Sequence, residues 1–137
     1  MLRLALAGEA TLIVDEREEA RAGPGFTVDT LEELHREMPD AALVLVVGAD
    51  CLVDLPGWRD PDRIAELAEV LVMGRGADQK MPPALSDRLR FTWIQNAPEI
   101  GIASSDLRQR AREGRTLRYL VPRAVECYIE QHGLYGF

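Results

Sequence analysis

The most constraining feature of this sequence is the uninterrupted apolar run Ala42-Leu43-Val44-Leu45-Val46-Val47. It is too short for a helix of ordinary length and rich in branched side chains, which predicts a strand buried in a parallel sheet. Val70-Leu71-Val72-Met73 repeats the pattern, and Phe91-Thr92-Trp93-Ile94 is a third strand candidate. Thr11-Leu12-Ile13-Val14 is a fourth, shorter one. Helical signals lie between them. Leu31, Leu34 and Met38 share one face of a segment that Thr27 or Asp29 can cap and Pro39 ends. Asp60 or Asp62 can cap a helix running to Ala68, and Ser104 or Ser105 one running to Glu113 and stopped by Gly114. Pro122 opens a last helix to Gln131 with Val125, Tyr128 and Ile129 inward, and Met1 to Gly8 reads as the end of a helix. Glu16 to Gly25 reads as a charged loop. Strands alternating with helices imply an α/β fold, with a parallel sheet covered on both faces and right-handed crossovers.

Composition narrows the function classes. The 137 residues suffice for one domain, 1–137, with a core of its own. The longest uncharged apolar run, Ala41 to Ala49, is far too short to span a bilayer, and the opening residues do not form a signal peptide. Cys51 and Cys127 lie outside any Cys-x-x-Cys spacing, so a reduced cytoplasmic protein is expected. A net charge of −7 disfavours general nucleic-acid or anionic-membrane binding. The charge is uneven. Between Arg108 and Arg123 six arginines face a single acid, Glu113, a local excess of five positive charges. That run is either a solvated helix face or an anion site. His35 and His132 have no metal-ligand spacing, and no Ser-His-Asp order, zinc signature or Walker-type loop is present.

Ligands of open parallel sheets bind beyond the carboxyl ends of the strands. Gly48-Ala49-Asp50 follows the strongest strand. There glycine lets a ligand approach the backbone, and an aspartate can accept hydrogen bonds from ribose hydroxyls. The alternative is a strand-ending turn with Asp50 as a helix cap. Ser104-Ser105-x-x-Arg108 opens a helix whose free N–H groups, hydroxyls and guanidinium would all face an anion, unless the serines merely cap it. Trp58, after Leu55-Pro56-Gly57, can stack on a flat ring or pack on the core.

Taken together, these segments resemble one family. Arg21-Ala22-Gly23-Pro24-Gly25-Phe26-Thr27-Val28-Asp29-Thr30-Leu31 is similar to its R-x-G-P-S-Y-T-x-D-T-L. Gly48-Ala49-Asp50 followed by Leu55-Pro56-Gly57-Trp58 is similar to G-A-D…L-P-x-W, and Ile102 to Arg108 to I-S-S-T-x-I-R. Tyr119-Leu120-Val121-Pro122, then Val125, Tyr128-Ile129 and Leu134-Tyr135, follow its C-terminal pattern. The family is that of the bacterial nicotinate-nucleotide adenylyltransferases. The resemblance covers nearly the whole chain, and four motifs in order are far more specific than any one.

It implies a Rossmann-like nucleotidyltransferase fold. The implied reaction transfers AMP from ATP to nicotinate mononucleotide, with magnesium, giving deamido-NAD and pyrophosphate. Trp58 would stack on the pyridine ring. Phe26 and the backbone N–H groups near Thr27 and Arg59 would surround its carboxylate. Gly48 and Asp50 would lie beside the nucleotide near ribose, and Ser104, Ser105, Arg108 and Arg75 would hold ATP phosphates. ATP and nicotinate mononucleotide are the implied partners, with a second copy of the chain as a further candidate. Departures are few. Gly25 and Phe26 stand for serine and tyrosine, Ala103 for serine, Ser105 for threonine, and Gly76 for the proline after Arg75.

The larger departure is that no H-x-G-H loop occurs in these 137 residues. The family's first strand and phosphate loop are therefore expected to be missing, no catalytic residue is assigned, and the activity of these residues alone is expected to be negligible. Loss of a central strand would also favour association. Two other readings stand beside this one: a non-catalytic nucleotide-binding remnant, and a pantetheine-phosphate adenylyltransferase, which gives no reason for the Trp58 loop.

Overall fold

A computed structural model describes residues 1–74, 91–94 and 100–136. In chain order its elements are α1 (Leu2–Ala5), α2 (Arg17–Ala20), α3 (Thr27–Glu37), β1 (Leu43–Gly48), α4 (Ala49–Asp54), α5 (Pro61–Leu67), β2 (Ala68–Met73), β3 (Phe91–Trp93), α6 (Ser104–Arg112) and α7 (Arg123–Gln131). Short 3-10 turns occupy Leu55–Gly57 and Leu134–Gly136. The chain divides into two compact units: Glu16–Glu99, and Met1–Asp15 together with Ile100–Phe137.

The first unit holds the sheet. β1 and β2 pair in parallel from Leu43 opposite Ala68 to Gly48 opposite Met73, and β3 adds to β2 in parallel with Val72 opposite Trp93. The sheet order is β1-β2-β3, so three of the four strand candidates of the sequence form strands. Because strand side chains alternate, Val47, Ala68, Val70 and Val72 face one way and are buried. Against them pack Leu52 of α4, Leu55 of the following turn, Ile64 and Leu67 of α5, and Val28 and Leu31 of α3.

The expected cover on both faces is only half present. Val44 and Val46 point to the other face and are 47% and 54% exposed. An unbroken apolar run predicts burial on both sides; among the described residues the helices of this unit supply one side. Glu16 to Gly25 is not wholly irregular either, since Arg17–Ala20 forms one helical turn. Ion pairs tie that segment to α3, Arg17 to Glu37 at 3.0 Å and Arg21 to Glu33 at 2.8 Å.

The second unit is helical. Ala111 of α6, Leu117, and Val125 and Ile129 of α7 form its core, with Ala5, Leu107, Val121 and Leu134 packed around them. Gly114, at φ +64, ends α6 with a left-handed turn that only glycine adopts without strain. The buried Glu126 carboxylate accepts from Arg123 Nη1 at 2.5 Å and Thr116 Oγ1 at 3.3 Å, which satisfies a group otherwise costly to desolvate. Two sequence expectations fail here. Thr11 to Val14 forms no strand: the segment is irregular, and Ile13 is 89% exposed, with no strand beside it among the described residues. Helix α1 is a single turn, not a helix reaching Gly8.

Candidate functional site

Gly25, Phe26, Thr27, Gly57, Trp58, Arg59 and Ile64 line a cleft of about 330 Å³ in the sheet-bearing unit. Two walls build it. One is the start of α3. Its N-cap is Phe26, in extended conformation, with no side chain capping the first turn. The caps expected from Thr27 or Asp29 are therefore absent, because both residues already lie inside the helix. The Phe26 carbonyl accepts from the N–H groups of Asp29 and Thr30, at 3.1 and 3.4 Å. Thr27 and Val28, as first and second residues, have N–H groups that no helix geometry can pair. Free N–H groups and the positive end of the helix make this wall receptive to an anion.

The other wall is the loop after α4. The Trp58 backbone N–H donates to the Leu55 carbonyl at 3.0 Å, closing the Leu55–Gly57 turn. Two residues on, Asp60 adopts the left-handed conformation (φ +49), and its carboxylate accepts from the Arg63 N–H at 3.2 Å, capping α5. Aspartate tolerates that backbone better than most residues. Trp58 is half-buried: it packs against both apolar clusters of the unit and also lines the cleft. The Arg59 guanidinium lies 4.7 Å above the Phe26 ring, and its Nη1 is 3.4 Å from Asp29 Oδ2. Four of the sequence-derived residues, Phe26, Thr27, Trp58 and Arg59, thus meet in one cleft. Sequence reasoning missed the Arg59–Asp29 pair. Its available signal was Asp29 in the first turn of a helix two residues from Thr27.

Gly48 and Asp50 stand where β1 passes into α4, outside the lining of the cleft. A Cβ on Gly48 would collide with Asp50 Oδ1, so glycine is what lets this carboxylate fold back over the strand end. Asp50 is exposed and caps nothing; the N-cap of α4 is Gly48 itself.

In the helical unit, Ser104 and Arg108 border a cavity of about 290 Å³ whose other walls are mostly apolar, among them Leu107, Leu117, Val121, Val125 and Ile129. The N-cap of α6 is Ala103, and neither serine caps it. Ser104 and Ser105 are its first two residues, so hydroxyls and unpaired N–H groups share the helix start. Ser105 Oγ donates to Asp106 at 3.4 Å. Arg108 is exposed and has no ion-pair partner among the described residues. Neighbouring arginines are engaged, Arg115 with Glu113 at 3.3 Å and Arg123 with Glu126. Glu126 and the other acids around Arg123 hold its pKa above the ordinary arginine value. The cluster of positive charge is thus partly spent within the fold, while Arg108 is not. Arg75 lies outside the described residues. Among the described residues no group of three or more His, Cys, Asp or Glu side chains is gathered to hold a metal ion. No described helix is long and apolar enough to cross a membrane.

The model of the cytidylyltransferase-like family matches residues 1–110. A protein of Thermomicrobium roseum named "Probable nicotinate-nucleotide adenylyltransferase" is 46% identical, covering 98% of this chain and 65% of that protein. One of the same name from Thermus thermophilus is 40% identical, covering 98% and 70%. The chain thus spans about two thirds of the length of these relatives. A solved structure of Plasmodium falciparum nicotinic acid mononucleotide adenylyltransferase complexed with NaAD superposes with a TM-score of 0.73 at 18% identity, over 100% of this chain and 72% of that one. The same protein complexed with APC gives 0.66, over 85% and 61%. At that identity the superposition establishes the nucleotidyltransferase fold.

Proposed function

Because the chain belongs to the nicotinate-nucleotide adenylyltransferases of the cytidylyltransferase-like family, we propose that it serves the transfer of AMP from ATP to nicotinate mononucleotide. The carrying observation is the cleft in which an uncapped helix start, a half-buried tryptophan and an arginine face one space. A pyridine ring stacks on Trp58, and its carboxylate meets the N–H groups of Thr27 and Arg59. Phe26 flanks the ring. Asp50, over the end of β1, accepts from ribose hydroxyls, and Gly48 makes room for it. Ser104, Ser105 and Arg108 take ATP phosphates at the start of α6, and Arg75 is assigned to phosphate as well.

In the reaction a phosphate oxygen of the mononucleotide attacks the α-phosphorus of ATP. One P–O bond forms, the bond to the β-phosphate bridging oxygen breaks, and pyrophosphate leaves. No protein nucleophile is required, so this chain contributes positioning and charge. Magnesium would arrive on the nucleotide phosphates and offset their charge.

The two histidines present, His35 and His132, are not spaced as H-x-G-H. We therefore expect residues 1–137 to bind both substrates and to release pyrophosphate negligibly. The exposed Val44 and Val46 face favours self-association. Calorimetric titration with nicotinate mononucleotide and with magnesium-ATP, a coupled pyrophosphate assay and sedimentation of residues 1–137 test these points. Absence of saturable binding of either substrate would overturn the reading.

A further inference from the structure

We infer that Arg59, through its pairing with Asp29, sets the preference of the cleft for an anionic pyridine carboxylate over the neutral carboxamide. This rests on the proposed function and names the substrate class of the same cleft. The cleft holds opposed charges. Asp29 sits in the first turn of α3, beside the N–H groups that would receive the carboxylate, and by itself would repel it. Arg59 Nη1, 3.4 Å from Asp29 Oδ2, offsets that charge. Its guanidinium plane is held over the Phe26 ring, on the cleft lining, by a contact of 4.7 Å. The fork carries five N–H donors, and the pair with Asp29 engages it through Nη1. The side chain is 57% exposed, so an entering anion can share the guanidinium without displacing core atoms.

A neutral carboxamide gains little from a cation and loses little to an unpaired aspartate, whereas a carboxylate is attracted by the one and repelled by the other. The residue therefore acts on the ratio of the two ligands, not on their common affinity. That ratio is what separates specificity from a merely structural role.

The test is calorimetric titration of the full chain with nicotinate mononucleotide and, separately, nicotinamide mononucleotide. Wild type should favour the nicotinate form. Arg59→Gln should lower the ratio of affinities by about fivefold, almost wholly through weaker binding of the nicotinate form, the size expected for an exposed charge pair. Arg59→Lys, which keeps the charge, should retain most of the preference. Asp29→Asn added to Arg59→Gln should restore part of it. A wild type that prefers the nicotinate form while Arg59→Gln keeps the same ratio would sink this inference and leave the proposed function standing. A wild type that binds neither ligand would remove both.

Discussion

The two candidate sites are built in opposite ways. The ring cleft rests on the sheet core: Trp58 packs against the clusters containing Leu52 and Ile64, and Asp60 locks the loop that carries it. The start of α6 offers its hydroxyls and Arg108 from an exposed helix, beside an apolar cavity in a much smaller core. The contrast teaches where each kind of recognition comes from. A flat ring needs a surface held still by packing. A phosphate needs N–H groups and a charge, which a helix start supplies with little support behind it.

The largest expected effect tests whether each core serves its own site. Leu52 and Leu117 are both almost fully buried, one in each unit. Leu52→Ala and Leu117→Ala should each destabilise by about 3 kcal/mol, the ordinary cost of emptying a leucine site. Under native conditions the two should differ in binding. Leu52→Ala weakens the ring ligand, since Trp58 leans on that cluster, and Leu117→Ala weakens ATP, since Leu117 lines the cavity beside Arg108. Urea unfolding gives the stabilities and calorimetry the affinities. Equal loss of both ligands in both variants would dissolve the comparison.

The same contrast explains what could be read from sequence. Strands at 43–48, 68–73 and 91–93 were legible because an apolar run leaves few alternatives. Thr11 to Val14 had the right residue types, but strand formation needs a partner, and a local pattern carries no information about one. The caps failed for a related reason. Thr27, Asp29, Ser104 and Ser105 are all good capping residues, yet the chain enters both helices one residue earlier, through Phe26 and Ala103. The failed caps leave N–H groups open where the resemblance implies anions. Phe26, Thr27, Trp58 and Arg59 came together as the motifs implied. The Arg59–Asp29 pair did not show, because it joins residues thirty positions apart on walls that only folding brings together.

A smaller effect separates the ligands themselves. Trp58→Ala should weaken nicotinate mononucleotide by about 1–2 kcal/mol and leave ATP nearly unchanged. Arg108→Ala should do the reverse, weakening ATP by about 1 kcal/mol, as expected for one exposed charge-assisted contact. Calorimetric titration of each variant with each ligand is the measurement. A selective loss of the nicotinate ligand on removing Arg108 would contradict the division of labour.

The smallest effect asks whether the arginine-rich helix is ordered at its far end. Glu113 follows the last residue of α6, where the helix dipole disfavours an acid. Its pKa is nonetheless held below the ordinary glutamate value, first by the Gln109 side-chain amide, which donates at 2.7 Å, and then by Arg115 at 3.3 Å and the positive charge of Arg110. A carboxylate with a depressed folded-state pKa stabilises the fold at pH values above its unfolded pKa, and that contribution is lost as pH falls through the folded value. Glu113→Gln should therefore lower the melting temperature slightly at neutral pH. The difference from wild type should shrink on acidification through the glutamate range. Melts across that range for both proteins measure it; a difference that stays constant with pH would mean that Gln109 and Arg115 do not hold the carboxylate in solution.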